Sequence, residues 1–221
     1  MESKVFSRTE APEGVQIISD RIYNLIIGLA LCWGFGVNLL IVKYIDVELL
    51  MSINRLYFII GYFASCFLGV YLFNKSDNPA ISFLGYNFIV VPFGLVLNII
   101  VSAYDPVLVF SAIKVTAIVT AIMMFAGSLW PAFFRRIIGA LTIALFAVII
   151  VQLVEIFVLK QQHGIIDWVV VVIFCGYIGY DWGRANAIPK TVDNAIDSAA
   201  ALYMDIINLF VRILRIMGRR R

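Results

Sequence analysis

Residues Ala201–Arg220 read ALYMDIINLFVRILRIMGRR. The run is apolar enough to enter a bilayer, yet Asp205, Asn208, Arg212 and Arg215 sit inside it. Charged and amide groups are costly in hydrocarbon, so within a span they face a bundle interior, a water-filled cavity or a partner. Upstream, Thr191 is a candidate helix N-cap, and Asp193 falls in the first turn, where the helix dipole favours negative charge. A helix begun there gathers Asp197, Asp205, Asn208, Arg212 and Arg215 on one face about 80° wide, at about 100° per residue. Leu209, Ile213 and Ile216 lie elsewhere. The pattern predicts a membrane helix with a single polar stripe turned toward the bundle or water. Arg212 and Arg215 are long enough to snorkel to the interface, but Asp205 is too short for that.

The rest of the chain supports the membrane reading. Of its 221 residues 62% are hydrophobic and only 14% charged, more apolar surface than a soluble domain of this size needs. The net charge of +3 is too small to argue for nucleic acid as a partner. Crossing the hydrocarbon takes roughly 20 residues of helix. Seven segments meet or approach that length: 22–42, 56–73, 80–103, 106–129, 137–159, 165–181 and 199–217. Short connections with Pro, Gly or charge join them, among them NKSDNP, YDP, WPAFFRR and KQQHG. Lipid supplies no hydrogen bonds to the backbone, so an all-α bundle of seven helices follows. Three divisions are expected: a polar N-terminal segment over 1–21, a membrane domain over 22–218 and a basic tail over 219–221. Residues 1–20 are polar and carry both signs of charge, and no cleaved leader is expected. No internal repeat points to an inverted-repeat transporter.

The basic residues set an orientation. With the N-terminus inside, the inner face collects Lys4, Arg8, Arg21, Lys75, Arg135, Arg136, Arg184 and Lys190, against Lys43, Arg55 and Lys160 outside. A seventh full crossing then carries Arg219, Arg220 and Arg221 outward, against the rule. Either the last segment is re-entrant or the first six spans overrule the tail. Cys32, Cys66 and Cys175 fall in apolar runs, and His163 in a polar loop, with no metal-ligand spacing among them. No cofactor is expected.

Two carboxylates stand out. Asp181 closes the sixth span in GYIGYDWGR, and Asp205 follows 24 residues later across a loop. Counted by helical rise, both lie roughly 5–10 Å from the inner face, close enough to meet. Two carboxylates in contact at low dielectric cannot both ionise readily, so they share a proton. Such a pair is a pH-sensitive latch and a set of hard oxygen ligands for passing calcium. The plainer reading makes Asp181 interfacial and gives Asp205 a hydrogen bond to a neighbouring helix. Further in, Lys114 and Glu155 lie about 12 Å and 6 Å from the outer face by the same count. They suit an ion pair between adjacent helices, or an outer gate. The aromatic residues of the second span, Tyr57, Phe58, Tyr62, Phe63 and Phe67, carry no evident chemistry.

The end of the chain resembles the transmembrane Bax inhibitor motif family. The resemblance rests on Tyr180-Asp181, on LYMDIINLF from Leu202 to Phe210 and on LRIMG from Leu214 to Gly218. It extends more weakly back to IIVSAYDPVLVFSAIKVTA, and covers about half the chain well. It implies seven helices with the last one central. It also implies a pH-dependent calcium leak, as in bacterial members, in which the aspartates matching Asp181 and Asp205 sense protons. Family members carry an arginine at the inner end of the second span that binds the first aspartate. This chain departs there, with Lys75 as the nearest cation, a point charge in place of a bidentate fork. Lys75, Asp197, Asn208 and Arg212 are then candidates for gating or lining the path, and Asp181 and Asp205 for transient calcium binding.

Two other functions compete. A regulator of a membrane protease or of a cell-death or stress factor would meet a membrane-protein partner within the bilayer, since the loops are short. An intramembrane aspartyl protease also sets a Tyr-Asp on one helix and an aspartate on the next. However, the second aspartate there follows Gly-x-Gly, whereas here Leu202, Tyr203 and Met204 precede it, and no Pro-Ala-Leu follows. A non-enzyme is expected, held as a multi-pass protein in a bacterial plasma membrane with its N-terminus cytoplasmic.

Overall fold

The computed structural model describes residues 16–159 and 164–219. Lys4, Arg8, Lys160, His163, Arg220 and Arg221 lie outside them. The described residues form eight α-helices and no strand. They are α1 (Asp20–Tyr44), α2 (Val47–Ser52), α3 (Arg55–Lys75), α4 (Pro79–Val101), α5 (Pro106–Leu129), α6 (Pro131–Val154), α7 (Gly164–Ala187) and α8 (Val192–Gly218). A five-residue π-helical turn, Glu155–Leu159, follows α6. Six helices are long and apolar enough to cross a membrane. The seventh long helix, α8, has 27 residues and carries five charged ones: Asp193, Asp197, Asp205, Arg212 and Arg215. The protein is therefore a helical membrane bundle, and α8 is buried along most of its length, which shelters those charges.

Local chemistry sets the helix starts. Ser19, Asp46, Asn54, Asn78 and Asp105 each accept a hydrogen bond from a backbone N–H of the first turn that follows. Pro79, Pro106 and Pro131 occupy first helical positions, where the missing N–H costs nothing. Thr191 caps α8, its Oγ1 accepting from the Asn194 N–H at 3.1 Å. From there α8 runs unbroken to Gly218.

The chain divides into two compact units. The first holds Met1–Ala103 and Ala187–Tyr203; the second holds Tyr104–Asn186 and Met204–Arg221. In the first unit, several buried hydroxyl and amide donors find partners, which burial away from water favours. The Tyr86 hydroxyl donates to the Ala30 carbonyl at 2.9 Å, and Asn38 Nδ2 donates to the Tyr203 hydroxyl at 2.6 Å. Tyr23, fully buried, reaches Ser198 Oγ at 3.1 Å. Pro92 lies inside α4 and lacks the N–H that would bond the Phe88 carbonyl four residues back. Ser65 Oγ of α3 donates to that carbonyl at 2.7 Å, so the proline leaves no unmet acceptor there.

The second unit packs through small residues. A Cβ added at Gly127 of α5 would collide with the backbone oxygen of Gly179 in α7, and one at Gly183 would reach the Gly127 oxygen at 3.1 Å. Gly179 and Gly183 are the small residues of a Gly-x-x-x-Gly pattern, which lets two helix backbones approach closely. Trp182 Nε1 donates to Ser128 Oγ beside them at 2.7 Å. Gly127→Ala forces α5 and α7 apart, because the obstacle is backbone and cannot rotate away; the expected loss is about 2 kcal/mol. Thermal unfolding in detergent measures it. Gly139→Ala, where nothing lies within 4 Å of an added Cβ, is the control and should leave the midpoint unchanged or raised. Equal behaviour of the two variants would refute the close-approach argument.

Candidate functional site

α7 is longer than its apolar run, and that length builds the site. The sequence reading ended the sixth span at Asp181; the helix continues to Ala187. Arg184 consequently stands on the same helix, three residues on, and its Nη1 contacts Asp181 Oδ1 at 3.3 Å. Both side chains are nearly buried, with 10% and 11% exposure. The Asp205 carboxyl of α8 lies within hydrogen-bonding reach of that of Asp181. Asp205 is 7% exposed, and its Oδ2 receives no N–H or hydroxyl donor among the described residues. The Tyr177 hydroxyl of α7 donates to Thr142 Oγ1 at 3.0 Å and lies within electrostatic reach of both aspartates. All of these residues belong to the second unit.

The cation on Asp181 thus differs from the one expected. Lys75, at the end of α3, is exposed and donates to the Tyr71 hydroxyl at 2.7 Å. Arg184 takes its place by an i, i+3 pairing, a neighbour relation any helix provides. The resemblance implied a cation from another helix; here the guanidinium comes from the aspartate's own.

A second polar cluster lies toward the other end of α7 and α8. Asp167, in the first turn of α7, is 3% exposed. Its Oδ1 accepts from Arg212 Nη1 at 2.9 Å, and its Oδ2 lies 3.2 Å from Arg219 Nη1. Gln152 Oε1 of α6 accepts from Arg212 Nη2 at 3.1 Å. Arg212 is therefore neither snorkelling nor lining an open path: it is tied to α6 and α7. The sequence reading missed Asp167 because it scanned the charges of the last segment without asking which carboxylate each would meet. An aspartate three residues into an apolar run was the available signal.

The remaining candidates are scattered. Asn208 Nδ2 donates to the Met204 carbonyl of its own helix at 2.8 Å. Asp197 is buried at 4% exposure in the first unit, as is Asp193, which accepts from Ser82 Oγ at 2.6 Å. Lys114 corrects an expectation. It is exposed and sits over the ring of Phe110, 4.4 Å from the centroid, with no ion pair among the described residues. The buried stripe of α5 is Leu108, Ala112, Thr116 and Thr120; Lys114 is two residues off it and points the other way. Glu155, 5% exposed in the π turn, is not its partner. Between α7 and α8, burial pushes the Lys190 ammonium below the ordinary lysine range, against the opposing pull of Asp20.

Comparison with known proteins places the chain. The sequence profile of the family described as "Inhibitor of apoptosis-promoting Bax1" matches residues 15–221. The inner membrane protein YbhL of Escherichia coli K12 is 31% identical over 143 residues, covering 58% of this chain and 59% of that protein. An uncharacterized membrane protein of Streptococcus pyogenes serotype M3 is 29% identical over 133 residues, covering 57% and 58%. An uncharacterized protein of Helicobacter pylori is 34% identical over 79 residues, covering 35% and 34%. These matches span little more than half the length of the relatives, or less, whereas the family profile takes in nearly the whole chain. On that match the protein belongs to the Bax inhibitor motif family.

Proposed function

We propose that the protein is a pH-sensitive calcium leak of a bacterial plasma membrane, controlled by the Asp181–Asp205 pair. The observation that carries this reading is the contact of two buried carboxyls from adjacent helices. A hydrogen bond between them requires a proton. Arg184 lies against Asp181, so the negative charge belongs there and the proton on Asp205, whose second oxygen is buried without another donor. Removing the proton sets two anions side by side with one guanidinium to serve both. The pair then splays, and α7 and α8 part at that level. The exposed oxygens are hard ligands suited to a calcium ion in passage. Among the described residues no cluster of three or more Asp, Glu, His or Cys converges, which suits cargo held briefly.

The Lys and Arg distribution supports a cytoplasmic N-terminus, and the inner-membrane relative supports the plasma membrane. The same two carboxyls would also suit an aspartyl protease. Arg184 disfavours it, because a guanidinium occupies the carboxylate that should hold the attacking water. Purified protein in liposomes loaded with a calcium dye tests the proposal: calcium flux should change with pH across neutrality. Flux equal to that of empty liposomes at every pH would remove it.

A further inference from the structure

We infer that Arg215, with Arg219 and the Tyr104 hydroxyl, forms a binding site for a phosphate group at the C-terminal end of α8. The argument is one of charge and partners, and is independent of the calcium leak. Three guanidinium groups, Arg212, Arg215 and Arg219, gather in the second unit around one carboxylate, Asp167. Asp167 is already shared by Arg212 and Arg219. Arg215 is half-buried, lies within electrostatic reach of all three, and its side chain makes no ion pair or hydrogen bond among the described residues. A half-buried guanidinium crowded by two others, with a single carboxylate already shared by those two, is unfavourable unless a further anion joins it.

The C-terminal end of a helix carries about half a negative charge, which leaves the cluster positive. Simple snorkelling does not account for the crowding, because Arg212 and Arg219 are held beside Arg215 by Asp167. Tyr104 adds a hydroxyl donor: its ring lies against Gly218, and it is within reach of Arg215. Arginine forks and a phenol match a tetrahedral oxyanion, each N–H to oxygen contact being charge-assisted. The place is the end of a span, where headgroup phosphates lie. Free phosphate offers the same chemistry, and the experiment separates the two sources.

The full chain in detergent is titrated with phosphatidylglycerol, with diacylglycerol of the same tails, and with inorganic phosphate at constant ionic strength. Bound lipid is read by native mass spectrometry and stabilisation by thermal shift. Wild-type protein should bind phosphatidylglycerol well above diacylglycerol. Arg215→Gln should weaken that binding by roughly tenfold or more, and Arg215→Lys by less. Response to inorganic phosphate as well would assign the site to a free anion; response to the lipid alone assigns it to a headgroup. If Arg215→Gln fails to fold, Arg219→Gln, at a side chain 38% exposed, carries the same test. Diacylglycerol binding as tightly as phosphatidylglycerol with no response to phosphate would overturn the inference, as would wild-type affinity in the folded variants.

Discussion

Asp205→Asn should abolish the response of calcium flux to pH and hold it at the value wild-type protein shows on the acidic side. The carboxamide has the shape of a protonated carboxyl and can donate to Asp181 permanently, so the variant imitates one state of the pair at every pH. In wild-type protein one shared proton can change the ratio of closed to splayed forms by up to about tenfold per pH unit; in the variant this slope should vanish. Asp181→Asn should act differently, because it also takes a carboxylate away from Arg184, whose side chain is 10% exposed. That variant should lose stability as well as pH response. A pH slope in Asp205→Asn equal to wild type would detach the pair from gating even if flux persisted.

The largest loss of stability is expected from Asp167→Ala. Removing one partner of a buried ion pair leaves an uncompensated charge, which costs about 3 kcal/mol. Here the carboxylate is 4% exposed and holds Arg212, itself 16% exposed, as well as Arg219. Thermal unfolding in detergent should show a fall of roughly 5–10 °C. Arg219→Ala should cost under about 1 kcal/mol, since an ion pair that reaches solvent contributes little. Near-equal effects of the two substitutions would mean that Asp167 is not the anchor the geometry describes. Gln152→Ala should fall between them, because it removes a hydrogen bond to a charged group that keeps its carboxylate partner.

The fold was legible in the sequence because bilayer thickness dictates helix length. The seven long helices follow from that constraint, and the N-cap at Thr191 from a hydroxyl placed before a polar first turn. The site was legible in part. Asp181 and Asp205 stood out as short acids in or beside apolar runs, for which snorkelling offers no escape. What escaped was everything set by helix ends. Hydropathy stops where polar residues begin, but a helix does not: three further residues of α7 put Arg184 beneath Asp181. In the same way α6 begins at Pro131, inside a stretch read as a turn. Lys114 was misjudged because depth was counted without the azimuth around α5, and the azimuth turns it away from the buried stripe. Asp167 was missed because pairing across helices needs a register, which one sequence does not supply.

That register has a consequence for chain length. On α7 the ties fall at residues 167 and 181, 14 apart; facing them are residue 205 of α8 and residue 219 just past its end, again 14 apart. The two antiparallel helices thus carry matched rulers of about 21 Å, close to four whole turns. A side chain between the marks that makes no contact with a neighbouring helix can be exchanged with the rulers still aligned. Inserting or deleting a single residue between them on one helix alone turns one mark by about 100° and shifts it by about 1.5 Å, so only one tie can close. Along residues 168–180 and 206–218 a substitution therefore acts only through its own contacts, such as those of Gly179 and Arg212, whereas a change in the number of residues on either helix disturbs both ties.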